Sequence, residues 1–150
     1  MPLAQLPTLD SINLDLHGSD LKSVVLELFD PMRGDAAISN PDLVWRDLMA
    51  RTAQGFLALD SHVALPHART SGVRRLMFAA GRHVKGFSLS AEASAVQLVF
   101  LVLTPKEKPT EYLHMLAALS SRLRLPDLRA GLISAKTQAE FENLLDGEIR

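Results

Sequence analysis

An α/β fold, with one β-sheet covered by helices on both faces, is the architecture this sequence predicts, and three observations carry it. Ala95 to Leu103, AVQLVFLVL, is nearly all apolar and rich in β-branched residues, the composition of a strand buried on both faces. The apolar period changes from two to three-and-four at Asp20, which separates a strand from a helix. Strand-like and helix-like stretches then interleave along the rest of the chain, the pattern of one sheet packed between helices.

The elements follow in order. Ile12, Leu14 and Leu16 alternate with Asn13 and Asp15, as in a half-buried strand. His17-Gly18-Ser19 breaks that run, and Ser19 is the expected N-cap of a helix with Leu21, Val24, Val25, Leu28 and Phe29 on one face. Pro31 and Gly34 end it. Asn40-Pro41 reads as a cap followed by proline at the first helical position, opening a helix with Leu43, Val44 and Leu48 inward that runs to about Arg51. Residues 54–62, QGFLALDSH, have no clear period. His62 to Leu65 reads as a short strand stopped by Pro66, Val73 to Ala80 as a second and Ala95 to Leu103 as a third. Pro105 and Pro109 bracket a loop, and Thr110 begins an amphipathic helix containing Leu113, Leu116, Ala117 and Leu123. Pro126 starts a short helix, and Thr137 with Glu140 forms a capping box for a last helix that turns Phe141, Leu144 and Leu145 inward. Residues 1–8 read as a flexible tail and 9–150 as one domain.

Composition narrows the function. A chain of 150 residues, 47% hydrophobic and 22% charged, suits one globular domain with a real core. Sixteen Lys and Arg against 17 Asp and Glu leave a net charge of −1, so no global field draws the protein to nucleic acid or anionic lipid. Cysteine is absent, which excludes disulfides, a thiolate nucleophile, zinc–thiolate sites and iron–sulfur clusters. The first ten residues lack a basic cluster and an apolar run. The longest apolar run, Leu98 to Leu103, is about a third of the roughly 18 residues of a membrane span. A cytoplasmic, soluble protein without membrane insertion is the expectation, and a homodimer stays open.

Several sites are missing. There is no P-loop, no G-x-G-x-x-G after a strand and no G-x-S-x-G elbow. His62 and His67 are an odd number of residues apart, which points them to opposite faces of an extended chain and argues against a shared metal. No metal and no cofactor are expected. Arg69, Arg74, Arg75, Arg82, His83 and Lys85 form a basic stretch without interleaved aromatics. It reads as a solvated edge rather than a nucleic-acid platform, with some of its cations able to face a phosphate or an acidic partner.

The stretch that carries chemistry is Val63-Ala64-Leu65-Pro66-His67-Ala68-Arg69. Pro66 stiffens the backbone that holds His67, at the end of a short strand where ligands of α/β folds collect. A neutral imidazole can attack a phosphoryl group and hold it as a phosphoramidate. Arginine best balances the charge on the phosphoryl oxygens. Arg69 lies two residues on, on the same side of an extended chain, and Arg51 lies at the end of the preceding helix.

With Arg51, then Val63-Ala64-Leu65-Pro66-His67, then the downstream stretches Leu98 to Pro105, Leu113 to Leu119, Asp127 to Leu132 and Phe141 to Leu145, the chain resembles the fructose/mannitol-type enzyme IIA domains of the bacterial phosphoenolpyruvate-dependent phosphotransferase system, including the nitrogen-regulatory IIA proteins. The resemblance covers nearly the whole chain. It implies an α/β sandwich with a mixed sheet, and a phosphocarrier in which His67 accepts a phosphoryl group from HPr or its nitrogen-branch relative. His67 would pass that group to a IIB partner or hold it as a regulatory signal, and Arg51 would stabilise the phosphoryl oxygens.

Two departures bear on the site. Family members carry small residues and glycines ahead of the histidine, in a pattern like Ser-Thr-Gly-Ile-Gly-Asn-Gly, where backbone N–H groups can reach a phosphate. Here the stretch is Phe56 to His62; Ser61 is the small hydroxylic residue kept near its end, and Asp60 brings a negative charge in place of a glycine. Many members also carry a second active-site histidine at the position that falls on Tyr112. His114, two residues further along the helix, is on a different face and does not inherit that role. Tyr112 can donate a hydrogen bond to a phosphate oxygen but cannot become cationic. Under this resemblance His67 and Arg51 favour a working phosphocarrier, a phosphohistidine phosphotransferase, with Tyr112, Ser61 and Arg69 as candidate pocket residues. The altered loop and Tyr112 define the alternative, a IIA-like regulatory domain that no longer takes phosphate and acts by protein contact.

Overall fold

The computed structural model describes residues 6–54, 58–90 and 93–147. The chain forms β1 (Ser11–Asn13), α1 (Leu21–Phe29), α2 (Pro41–Ala53), β2 (Ala58–Asp60), β3 (Val63–Ala64), β4 (His67–Arg69), β5 (Met77–Phe87), β6 (Val96–Thr104), α3 (Pro109–Leu123), α4 (Pro126–Ser134) and α5 (Gln138–Asp146), with a 3-10 turn at Asp30–Met32. The strands make one mixed sheet in the order β1-β5-β6-β3-β2, with β4 also paired to β6. β5 and β6 are antiparallel, whereas β1 on β5 and both β3 and β4 on β6 are parallel.

The central strands divide the core by alternation. Met77 and Ala79 of β5, with Val99, Leu101 and Leu103 of β6, meet α1 and α2 through Val24, Val25, Leu28, Phe29, Val44 and Leu48. Phe78 and Ala80, with Leu98, Phe100 and Val102, meet the other three helices through Met115, Leu119, Leu123, Leu132, Phe141 and Leu145. Helices therefore cover both faces, as expected. Each fully buried Leu or Phe contributes about 1.5–3 kcal/mol of hydrophobic stabilisation.

Several elements differ in detail from the sequence expectation. The cap of α1 is Asp20, not Ser19: its side chain accepts the Ser23 N–H at 2.8 Å. With Leu21 as the first helical residue, only the preceding side chain reaches that donor. Asn40 caps α2 as expected, accepting from the Leu43 N–H. Thr137 caps α5 through the Glu140 N–H, but the Glu140 carboxylate reaches the Lys136 N–H, one residue before the cap. The inward face of α3 is Met115, Ala118, Leu119 and Leu123, while Leu113 is 61% exposed, because residues two apart on a helix diverge. The second strand begins at Met77 rather than Val73, which makes only an isolated bridge to Ile38, and it extends to Phe87 through Arg82, His83 and Lys85. The aperiodic segment contains a short strand, β2, antiparallel to β3. Of the tail expected over 1–8, residues 1–5 lie outside the described residues, and Leu6 packs against the α3–α5 side of the core.

One close approach seats α2 where the site needs it. The Gly72 carbonyl accepts the Ser39 N–H at 2.8 Å. A Cβ on Gly72 would lie 2.6 Å from Val44 Cγ2 and 2.8 Å from the Asn40 carbonyl oxygen. Only glycine lets the chain beyond β4 pass this near to the start of α2.

Candidate functional site

β4 pairs with the carboxyl-terminal half of β6, His67 beside Val102 and Arg69 beside Thr104. His67 therefore opens a strand of its own rather than following one, with Leu65 and Pro66 as the break between β3 and β4. α2 packs against β4 from one side. Tyr112, in the first turn of α3, arrives from the other, its ring stacked on His67 with centroids 5.4 Å apart and planes at 28°. Between them lies a recess of about 290 Å³ lined by Asp47, Ala50, Arg51, Gln54, His67, Ala68, Arg69 and Tyr112.

The two histidine nitrogens are distinct. Nδ1 lies 2.8 Å from the Leu65 carbonyl oxygen. A carbonyl only accepts, so Nδ1 carries the proton and Nε2 keeps the lone pair. Burial lowers the His67 pKa from the ordinary 6.5; the Leu65 carbonyl works against that shift, and the Arg51 cation adds to it. Burial also pushes the Tyr112 hydroxyl up to about 12, with Arg51 pulling the other way, so the phenol stays protonated as a hydrogen-bond donor. The result is a neutral imidazole with one free nitrogen, a cation and a phenolic donor around one small cavity. Such a set can bind a tetrahedral oxyanion or take a phosphoryl group.

Four of the five residues singled out in the sequence come together: His67, Arg51, Tyr112 and Arg69. Arg69 Nη2 also donates to the Lys106 carbonyl at 3.0 Å. Ser61 does not join them; it is exposed in the turn between β2 and β3. Asp60 is also elsewhere. It lines a separate recess with Leu59, Ser120, Leu123, Arg124 and Arg129, and it accepts the His62 and Val63 N–H groups while pairing with Arg129. The expected charge conflict between Asp60 and a phosphoryl group is therefore corrected. Phe56 and Leu57 of the altered loop lie outside the described residues. His114 is exposed and lines a different groove with Asp10, Arg75 and Glu111.

The basic stretch is not one face. Arg74 donates to the Ala36 carbonyl, and Arg75 pairs with Asp10 at 2.8 Å. Arg82 donates to the Leu14, Ile133 and Ala135 carbonyls. His83 is buried, with Nε2 2.9 Å from the Gly18 carbonyl oxygen. These residues tie the sheet to its flanking loops, and only Arg69 reaches the recess. Sequence reading missed Asp47, Ala50 and Gln54, although Asp47 and Gln54 lie four before and three after Arg51 on its helical stripe, with Ala50 three after Asp47. Among the described residues there is no group of three His, Cys, Asp or Glu that could hold a metal ion, and no helix is long and apolar enough to cross a membrane.

Comparison with known proteins defines the class. Residues 5–147 match the family model described as "Phosphoenolpyruvate-dependent sugar phosphotransferase system, EIIA 2", and the chain belongs to that family. A fructose-specific EIIA component of Haloferax volcanii is 22% identical over 144 residues, covering 95% of this chain and 94% of that protein. The 2-O-α-mannosyl-D-glycerate-specific EIIABC component of Escherichia coli is 25% identical over 97% of this chain, but this chain spans only 23% of its length. Among solved structures, the nitrogen regulatory protein IIA-Ntr of Neisseria meningitidis superposes with a TM-score of 0.79 at 25% identity, covering 89% of this chain and 92% of that one. The mannitol IIA of Escherichia coli shares the fold, with a TM-score of 0.77 at 14% identity over 89% of this chain and 94% of its own.

Proposed function

We propose that this chain is a cytoplasmic phosphocarrier in which His67 Nε2 accepts a phosphoryl group from an HPr-type carrier. His67 then passes the group to a IIB partner or holds it as a regulatory signal. The observation that carries this reading is the hydrogen bond from His67 Nδ1 to the Leu65 carbonyl, which leaves Nε2 as the nucleophile in a recess shared with Arg51 and Tyr112.

The step balances without a co-reactant. The Nε2 lone pair attacks phosphorus, the phosphorus–nitrogen bond of the donor's phosphohistidine breaks, and the donor ring keeps that electron pair. Arg51 offsets charge on the phosphoryl oxygens, and the Tyr112 hydroxyl donates to one of them. The Leu65 carbonyl keeps a proton on Nδ1, so the phosphorylated ring carries positive charge. That charge makes the ring a better leaving group and keeps the phosphoryl group transferable.

Intact-protein mass after incubation with phosphoenolpyruvate, enzyme I and HPr tests the reading. The expected result is an acid-labile gain of one phosphoryl group that His67→Ala abolishes. No gain, with the same carrier charging another acceptor, overturns it. That outcome favours the second reading, a regulatory domain acting by protein contact, for which Tyr112 in place of a second histidine is the supporting observation.

A further inference from the structure

Asp47 lines the recess one helical turn before Arg51. Its Oδ2 is shut off from water and has no hydrogen-bond partner. A buried carboxylate oxygen without a donor is costly, and nothing in the phosphoryl-transfer step above uses it. The charged and titratable groups that share the recess with it are Arg51 from its own helix, His67 and Arg69 from β4, and Tyr112 from α3. Arg51 and Arg69 are cations and Tyr112 stays neutral, so Asp47 is the one carboxylate of the recess among the described residues.

A phosphoryl group on His67 brings up to two further negative charges into a cavity of about 290 Å³ that already holds this carboxylate. Like charges in so small a space disfavour each other. One proton placed between a carboxylate and a phosphoryl oxygen replaces that repulsion with a short, charge-assisted O–H···O hydrogen bond. With the carboxylate turned toward the recess, it also gives Oδ2 the donor it lacks.

We propose that Asp47 makes phosphorylation of His67 proton-coupled: one proton from solvent is taken up and shared between the Asp47 carboxylate and the phosphoryl oxygens as the phosphorus–nitrogen bond forms. The inference rests on His67 being the phosphoryl acceptor. The donor's phosphorus–nitrogen bond breaks as before, and the proton returns to solvent when the group is passed on. Asp47 is a positioning residue in this step, setting the charge state in which the recess holds the group.

The test measures the equilibrium between phosphorylated carrier and this protein by intact mass. Wild type and Asp47→Asn are compared from about pH 6 to about pH 9, a range that begins where phosphate monoesters lose their second proton. The donor's own pH dependence cancels in the ratio of the two equilibrium constants. The wild-type to Asp47→Asn ratio should fall about tenfold per pH unit over part of that range, the signature of one proton taken up. Asp47→Glu, which keeps the carboxylate, should retain the slope against Asp47→Asn, and Asp47→Ser takes the place of the asparagine variant as the carboxylate-free reference if that variant fails to fold. Phosphorylation of both proteins with a constant ratio overturns the proton coupling and leaves the phosphocarrier reading standing. Phosphorylation of neither, with the carrier active on another acceptor, overturns the phosphocarrier reading and the coupling with it.

Discussion

Asp47 and Asp60 are both carboxylates near the chemistry in sequence, and the fold treats them in opposite ways. Asp60 ends β2, takes two backbone N–H groups and pairs with Arg129, on the far side of β3 in sequence from His67 and in a different recess. Asp47 sits inside a helix, where backbone donors are already spent on the helix itself; it lines the His67 recess, and its buried Oδ2 is left without a partner. A charge whose valences are filled by its own neighbourhood holds structure together. One left unfilled beside a nucleophile is available to a ligand. Arg82 donates to three carbonyls away from the recess, and the charge of Arg51 is felt by both His67 and Tyr112.

Substitutions on either side of that contrast sharpen or break it, and the largest effect is expected at His67, the proposed acceptor. His67→Ala should lose the acid-labile phosphoryl gain completely in intact-mass spectra; retention of the gain would move the acceptor elsewhere. Arg51→Ala should slow phosphorylation about 10²–10³-fold, the range for removing one donor from a charge-stabilising site. A change under about threefold in single-turnover rates would make Arg51 a helix-end cation only.

The next effect is one of pH. Since burial holds the His67 pKa below 6.5, with the Leu65 carbonyl opposing and Arg51 reinforcing the shift, the ring should still titrate as neutral at pH 6.5 in a proton NMR titration. The unfolded chain binds the proton first, so stability contributed by neutral His67 is complete above 6.5 and declines as pH falls below it. A midpoint above 6.5 contradicts the buried environment. Tyr112→Phe keeps the stacked ring and removes one neutral donor, for an expected loss of about five- to tenfold in rate. No loss would reduce Tyr112 to packing.

The smallest effect is expected at Asp60. Asp60→Asn should leave phosphorylation within about twofold and cost at most about 1 kcal/mol in chemical denaturation, as for a partly exposed ion pair. Burial pushes the Asp60 carboxyl up, but the His62 N–H, Arg129 and the Val63 N–H outweigh it and hold it below 3.8. Its stabilisation is therefore present above pH 3.8 and is lost as pH falls through the lower folded value, so the difference between wild type and variant should vanish on strong acidification. A large loss of phosphorylation in Asp60→Asn would erase the contrast with Asp47.

Local pattern made much of this molecule legible. The apolar period of α1, the Asn40-Pro41 start of α2 and the unbroken apolar run of β6 are properties of neighbouring residues, and each appears where its pattern lies. The motif Leu65-Pro66-His67, together with the family resemblance that ties Arg51 to it, likewise marked two residues that share the recess. What local pattern could not show is which groups are already satisfied. Ser61 and Asp60 are close to His67 along the chain, yet the β2–β3 hairpin carries them out of the recess. Asp47 is farther from His67 along the chain than Asp60, yet it lines the recess because one helical face places it beside Arg51, four residues on.

Composition, periodicity and one short motif thus determined an α/β chain with a histidine held behind a proline, because those properties depend on residues within a few positions of each other. The tertiary structure alone decided the partners of that histidine: the Leu65 carbonyl that fixes its tautomer, the Tyr112 ring stacked on it, and the unpartnered Asp47 oxygen in its recess. Hydrogen-bond satisfaction and burial are sums over everything that surrounds an atom in space, and α2, β4 and α3 meet only once the sheet has brought them together.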